Sequence, residues 1–254
     1  MTALRYYIDL IEVLTLKEIK VRYKNNIFGY FWSILHPLSL ALVFYFAFKF
    51  IMKFQIENFA YFLICGLFPW QWFSNSVLAG STSLLANATL IKKVNFPKFF
   101  IPLATVLNDA FHFLASLPVI LFFGFLFNKF HFLVLFSFLP LQLLAQFIIT
   151  YGLVLFLAPI NLFFRDLERL IQIGLTILFY LTPIIYDVSF IPPNLKVFFY
   201  LNPLFGLIEN WRLIFIEGSF NWFYFELSLL EGILIFFFGF KVFKKLSPRF
   251  AEVL

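Results

Sequence analysis

Long apolar segments recur along the whole sequence, and most of them contain few charged residues or none. Each approaches or exceeds the roughly 20 residues that a helix needs to cross the hydrocarbon core of a bilayer. Hydrophobic residues account for 63% of the 254 residues and charged residues for 13%, and a soluble core of this size could not hide so much apolar surface. The sequence therefore predicts an all-α integral membrane protein with six transmembrane helices, at 31–52, 59–84, 99–127, 132–158, 170–186 and 221–240.

Residues 3–29 are too charged to form a span. Apolar residues recur at helical spacing beside charged ones over 3–16, which is typical of an amphipathic helix. These apolar positions are Leu4, Tyr7, Ile8, Ile11 and Leu14. We expect this helix to lie along the cytoplasmic membrane surface. A basic segment follows it, with Lys17, Lys20, Arg22 and Lys24.

The segment before the last span is apolar but interrupted. Asn202-Pro203 breaks it in the middle, and Glu209 and Arg212 place charges in its second half. Neither half is long enough to cross about 30 Å of hydrocarbon. We expect a re-entrant pair of short helices over 192–216, entering from the outer side, where such backbone must be covered by protein or line a water-filled cavity.

The basic residues predict the orientation of the chain. With both termini in the cytoplasm, the outer side holds Lys49, Lys53, Lys129, Lys196 and Arg212, which leaves 14 of the 19 Lys and Arg on the cytoplasmic side. This asymmetry is typical of cytoplasmic loops. It also explains the net charge of +6 without a nucleic-acid partner. We find no internal repeat or linker, so residues 1–254 are predicted to form a single transmembrane domain.

Polar residues recur at helical spacing within four spans, so each set lies on one helix face. The sets are Gln71, Ser74, Asn75, Ser81 and Thr82; Thr105, Asp109, His112 and Ser116; Gln142, Gln146 and Thr150; and Gln172, Thr176 and Tyr180. Such faces point away from lipid, where they either join helices or line a hydrated path. Both interpretations stay open. Asp109 and Glu231 lie deep in their predicted spans, where each carboxyl either bonds a neighbouring helix or takes part in function. The candidate path residues are Gln71, Ser74, Asn75, Asp109, His112, Gln142, Gln146 and Tyr180.

The sequence lacks the motifs of a nucleotide-binding, hydrolase or metal site. The sequence contains no GxxxxGK[ST] phosphate loop and no GxSxG motif, its three histidines lack a metal-ligand spacing, and Cys65 is the single cysteine. Asn87-Ala88-Thr89 is a formal glycosylation sequon at the predicted cytoplasmic face. We predict no catalytic residue, no metal site and no cofactor, so the energy for uphill movement must come from a partner or an ion gradient.

Three stretches carry a family resemblance. Residues 20–32 read KVRYKNNIFGYFW and are followed by His36-Pro37-Leu38; residues 90–97 read LIKKVNFP; and residues 164–167 read FRDL, with a continuation to Pro183-Ile184-Ile185-Tyr186. Together they resemble the membrane subunit of type-2 ABC exporters, in particular the polysaccharide-exporting (Wzm-like) branch. The resemblance covers essentially the whole chain.

The resemblance implies a homodimer around a central path and two copies of a separate ATPase subunit on the cytoplasmic side, which bind the ATP and Mg²⁺. It also implies a lipid-linked polysaccharide, such as O antigen, moved outward across the bacterial inner membrane. The expected ATPase contacts are Lys20, Arg22, Tyr23, Lys24, Leu90, Lys92, Lys93, Phe96 and Pro97. Arg165 and Asp166 are expected to brace the cytoplasmic ends, pairing with each other or with 17–29. The expected outer gate contains Pro192, Asn202, Pro203 and Arg212.

Two other classes stay open on the sequence alone. One is a type-2 ABC permease for a drug or a small lipid, which shares the fold but not the cargo. The other is an ATP-independent flippase or a membrane-embedded enzyme that uses Asp109 or Glu231. Neighbouring genes would separate the first from a polysaccharide exporter, and activity of the purified chain without an ATPase would reveal the second.

Overall fold

Apolar segments that must satisfy their own backbone polar groups coil into helices, and the computed structural model, which describes residues 3–23, 31–53 and 55–254, contains no strand in those ranges. The helices are α1 Ala3–Tyr23, α2 Phe31–Phe44, α3 Phe59–Ala86, α4 Ala88–Lys93, α5 Phe100–Leu126, α6 Phe132–Phe163, α7 Leu167–Leu181, α8 Lys196–Phe199, α9 Pro203–Arg212, α10 Trp222–Leu246 and α11 Phe250–Val253. Stretches of π-helix extend α2 over Tyr45–Ile51 and α9 over Leu213–Glu217. The all-α prediction is confirmed for the described ranges.

Four stretches of the described chain are long and apolar enough to cross a membrane. They are Ile34–Ile51, Phe100–Leu126, Phe132–Phe163 and Trp222–Val253. They coincide with four of the six predicted spans. The other two predicted spans correspond to α3 and α7, so the count of six stays a prediction.

Helix α3 has the length of a span but not the hydropathy. Its 28 residues extend about 42 Å, and it packs against α2, α5, α6, α7 and α9. Leu63, Cys65 and Leu67 on it are fully buried. A helix surrounded by other helices does not need an apolar surface all round, which explains why α3 tolerates the polar residues that lower its hydropathy.

Helix α7 is shorter than predicted. It begins at Leu167 and ends at Leu181, before the predicted boundary at 186. Pro183 accounts for this end, because a residue that precedes proline is disfavoured in helical conformation, and Thr182 is extended with φ −97° and ψ 138°. Its 15 residues extend only about 22 Å, less than the hydrocarbon thickness.

The segment predicted as a re-entrant pair forms the two short helices α8 and α9. The side chain of Asn202 accepts a hydrogen bond from the Leu204 backbone N–H at 3.1 Å, and Pro203 occupies the first turn, where its missing N–H costs nothing. Helix α9 packs on α10 and α3. Entry of this pair into the membrane stays a prediction.

Helix α1 is longer than the amphipathic stretch at 3–16 and runs to Tyr23. It packs on α5, with Leu14 buried. Its other side exposes Ile8 and Val13, which is the pattern of a helix on a membrane surface. Lys17 Nζ donates to the side-chain carbonyl of Asn87, between α3 and α4, so α1 is tied to the bundle at the end where the basic residues gather.

Helices α6 and α10 approach each other closely, and glycines allow it. A Cβ atom built on Gly152 would lie 2.6 Å from the backbone nitrogen of Phe236, and one built on Gly239 would overlap the carbonyl oxygen of Gly152. Contacts between backbones leave no flexible side chain to move aside. This is the small-residue packing that membrane helices use for close approach.

We expect Gly152→Ala to destabilise the protein by about 1–3 kcal/mol, because the added methyl group forces α10 away from α6. The measurement is the melting temperature of the detergent-purified protein. Gly174→Ala on α7 is the matched control, since nothing lies within 4 Å of a Cβ built there. Equal melting temperatures for the two variants would contradict the close packing described above.

Candidate functional site

A small polar cavity lies between α3 and α5. Gln71 and Asn75 of α3 and Asp109 and His112 of α5 line it, and its volume is 40 Å³, enough for water. The carboxylate of Asp109 accepts a hydrogen bond of 3.0 Å from the Ser76 hydroxyl. The structure thus brings four of the eight predicted path residues to one place.

A larger groove of 290 Å³ lies between α2, α3 and α7. Gln71, Ser74 and Asn75 line it from α3, and Tyr180 lines it from α7. Gln71 is also hydrogen-bonded to the ring of His36 on α2. Gln71 and Asn75 therefore border both spaces, and α3 is the wall they share.

Gln142 and Gln146 are not at either space, although their spacing suggested it. Both are fully buried. Gln142 Nε2 donates to the Leu207 carbonyl at 2.7 Å, and Gln146 Nε2 donates to the Pro69 carbonyl at 2.8 Å. Gln146 Oε1 accepts from Trp211 Nε1 at 2.6 Å. These amides join α6 to α9 and α3, the helix-joining role that polar residues also have in membranes.

Most hydroxyl groups of the polar stripes bond within their own helices. The hydroxyls of Ser81, Thr82, Thr105, Ser116 and Thr176 donate to carbonyls three or four residues earlier. This local bonding satisfies a hydroxyl without any partner helix. A stripe of Ser and Thr is therefore weaker support for a path than the Gln71, Asn75, Asp109 and His112 set.

Arg212 is the centre of a buried cluster at the predicted outer end. It is 3% exposed, and its guanidinium donates to the Ile184 carbonyl at 2.6 Å. The guanidinium carbon lies 3.6 Å from the centre of the Phe62 ring, and Nη1 lies 3.5 Å from the carboxylate of Glu209. Burial raises the pKa of Glu209 above its ordinary value, and the charge of Arg212 opposes that rise.

Two predicted gate residues meet the turn after α7. Arg212 binds the Ile184 carbonyl there, and Asn202 Nδ2 donates to the Thr182 hydroxyl at 2.9 Å. Pro203 begins α9 beside Asn202, whereas Pro192 is exposed in the preceding turn, where its carbonyl accepts from the Leu195 N–H. The residues after α7 and the helix α9 thus form one connected layer at the predicted outer end.

Helix α4 presents the predicted ATPase contacts. Lys92 and Lys93 are exposed in its last turn, where positive charges interact favourably with the helix dipole. Leu90 is half-buried and Phe96 is buried, so the segment is anchored on its inner side. Pro97 follows, half-buried, before α5 begins. The asparagine of the sequon, Asn87, is buried and uses its side chain to bond Ser83 and Lys17.

The remaining ATPase-contact candidates are only partly described. Lys20 is exposed on α1, whereas Lys24 lies outside the described residues, as do the side chains of Arg22 and Tyr23.

The two predicted brace residues, Arg165 and Asp166, are both exposed. No residue within the described ranges forms a salt bridge with either. Pairing of Arg165 or Asp166 with the predicted partner segment 17–29 stays a prediction, because residues 24–29 of that segment lie outside the described ranges.

Two residues that bond the predicted path residues were not themselves predicted. His36 lines the groove and bonds Gln71, and Ser76 bonds Asp109. A solitary histidine within an apolar span was the available signal for His36, whereas Ser76 lies off the polar stripe of its helix. The second deep acid, Glu231, is half-buried on α10. No group of three potential metal ligands occurs in the described part of the chain.

A protein-family model covers most of the chain. The family model described as "ABC-2 type transporter" matches residues 9–216. The match includes the helices that line both polar spaces and the helix α4. It ends within the π-helical stretch after α9.

Curated proteins of known name give matches of similar extent. An O-antigen export system permease protein RfbA of Klebsiella pneumoniae is 42% identical over 251 residues, 99% of this chain and 97% of that protein. The protein of the same name from Myxococcus xanthus is 34% identical over 83% of this chain and 82% of its own length. The polysialic acid transport protein KpsM of Escherichia coli is 23% identical over 82% and 81%, respectively.

Proposed function

Because this chain belongs to the ABC-2 type transporter family, we propose that it is the transmembrane subunit of an exporter that moves a lipid-linked, O-antigen-like polysaccharide outward across the bacterial inner membrane. The observation that carries the proposal is the 42% identity to an O-antigen export permease along 99% of the chain. Identity of that extent leaves little of the chain for another architecture. The multi-pass helical fold with several membrane-length helices is consistent with it.

A second copy of the chain and a separate ATPase complete the proposed exporter. In this arrangement both termini are cytoplasmic, six helices cross the membrane, and ATP and Mg²⁺ are bound by the ATPase alone. The groove between α2, α3 and α7 supports the homodimer, because it is open on the surface of one subunit. Its polar side chains become the lining of an enclosed path when a partner subunit covers them.

The groove is suited to a carbohydrate by its mixed lining. Gln71, Ser74 and Asn75 offer amide and hydroxyl groups for sugar hydroxyls, and Trp70, Phe179 and Tyr180 surround them with rings. Tyr180 is 57% exposed and can present a ring face to a sugar. Gln142 and Gln146 have no part in this lining, since their amides hold α6 to its neighbours.

Force transfer is assigned to α4 because it is rigidly joined to the helix that lines the groove. Only Asn87 separates α4 from α3, and the Asn87 side chain bonds both Ser83 of α3 and Lys17 of α1. A push by the ATPase on Lys92 and Lys93 would therefore tilt α3. At the other end, the connected layer of Asn202 and Arg212 would act as the outer gate.

The test is a deletion of the gene in its native host, with plasmid-borne copies for rescue. We expect surface polysaccharide to disappear while its lipid-linked form accumulates inside, and we expect the tagged chain to co-purify with an ABC ATPase. Normal surface polysaccharide together with altered drug susceptibility would favour the alternative of a drug or small-lipid permease. A pull-down without an ATPase would instead favour the flippase class and direct attention to Asp109 and Glu231.

A further inference from the structure

A groove of 340 Å³ lies between the start of α5 and the end of α10, away from the two polar spaces. Its floor is aromatic, with the rings of Phe99 and Phe240 6.2 Å apart. The backbone on one side is fixed, because the Tyr151 hydroxyl donates to the Phe99 carbonyl at 3.1 Å. The volume is within the range of small-molecule sites.

Two ammonium groups stand at the edge of this groove. Lys98 Nζ donates to the Ser247 carbonyl at 3.3 Å and lies 5.8 Å from the centre of the Phe250 ring, so it is held in place with further N–H donors to offer. Lys244 also lines the groove and is exposed. Among the described residues that line the groove there is no acid.

We propose that this groove binds an anionic phospholipid, with its phosphate between Lys98 and Lys244 and its acyl chains along Phe99 and Phe240. The combination of cations beside an aromatic floor matches a molecule that is charged at one end and apolar at the other. A free phosphate would leave the aromatic floor unfilled.

The position of the groove favours a lipid of the membrane over a soluble ligand. Helices α5 and α10 are both long and apolar enough to span, and the groove lies where α5 begins and α10 ends. That is the level of lipid headgroups, and basic pockets between helices at the cytoplasmic side are suited to anionic headgroups. The positive-inside distribution predicts this end to be cytoplasmic.

A lipid in this groove would contact the segment that leads from α4 to α5. Phe96 and Pro97 form part of the lining, and both belong to the predicted ATPase contact. The bound lipid would pack against Phe96 and Pro97 and stabilise the conformation of that segment. Anionic lipid is therefore expected to raise coupled ATP hydrolysis as well as to bind.

The experiment measures phosphatidylglycerol binding to the purified permease–ATPase complex by native mass spectrometry, with phosphatidylcholine as the zwitterionic comparison. One lysine near an anionic lipid contributes roughly a fivefold change in affinity. We expect Lys98→Gln/Lys244→Gln to weaken phosphatidylglycerol binding about 25-fold on that basis, with phosphatidylcholine binding unchanged. The single variant Lys244→Gln, whose side chain is exposed, should show about a fivefold loss if the double variant does not assemble.

The matched control is Lys241→Gln/Lys245→Gln, which also removes two positive charges, here both from the end of α10, without altering the groove lining. It should bind phosphatidylglycerol as the unaltered complex does. Equal weakening in both double variants would mean general attraction of surface lipid and would overturn the site. Binding to the isolated permease but not to the complex would also overturn it, since a segment of the ATPase would then occupy the groove.

Discussion

Methionine in place of Arg212 is expected to destabilise the protein by about 3–5 kcal/mol, the usual cost of breaking a buried ion pair from one side. The change leaves the Ile184 carbonyl without its donor and the Glu209 carboxylate without its cation. It also removes the stacking on Phe62. In a chain of this size we expect the melting temperature in detergent to fall by about 10 °C.

Two further variants separate charge from geometry in this cluster. Glu209→Gln together with Arg212→Met should recover part of the loss, because the unpaired carboxylate is then gone. The melting temperature of Arg212→Lys should lie between those of the unaltered protein and Arg212→Met. Lysine keeps a cation at this place but cannot reach several carbonyls with a planar fork. A melting temperature for Arg212→Met equal to that of the unaltered protein would contradict the clustered arrangement.

Reversal of both charges on α4, by Lys92→Glu/Lys93→Glu, is expected to reduce export at least about tenfold while ATP hydrolysis and dimer assembly persist. In the proposed contact, Lys92 and Lys93 face acidic residues of the ATPase, and like charges placed against each other at an interface cost several kcal/mol. The exposed side chains of Lys92 and Lys93 contribute nothing to the buried packing of α4. The measurement compares surface polysaccharide with ATPase activity of the purified complex.

The control for this uncoupling is Lys241→Glu/Lys245→Glu. It makes the same charge change at the same predicted side of the membrane, on α10 rather than α4, so it corrects for altered positive-inside balance. We expect export close to normal in this control. Normal export by the Lys92→Glu/Lys93→Glu variant would contradict the proposed route of force transfer.

The positions of the helices could be read from the sequence because apolar length and proline carry most of that information. The tertiary neighbours could not be read in the same way. Helix α6 continues to Phe163, past the predicted end at 158, because the Asn161 side chain is buried and donates to the Ser81 carbonyl at 3.1 Å. A polar residue at a span end looks like a boundary until its partner is known.

The candidate site was predictable to a similar degree. Helical spacing placed Gln71 and Asn75 on one face of α3, and Asp109 and His112 on one face of α5, and the two faces meet. The same spacing could not show that Gln142 and Gln146 join helices while the other four residues line a cavity. The difference lies in the Leu207 and Pro69 carbonyls that those amides reach, and periodicity contains no information about such partners.

The unusual polarity of α3 has a consequence for biosynthesis. A helix with several amides and hydroxyls gains little by leaving the translocon for lipid, yet α3 is followed by the strongly apolar α5 and α6, which it packs against. We therefore expect α3 to remain at the translocon until these helices emerge and to enter the bilayer together with them. The helix that borders both polar spaces would then be inserted by its neighbours, so a ribosome stalled before α5 would leave it exposed to quality-control proteases.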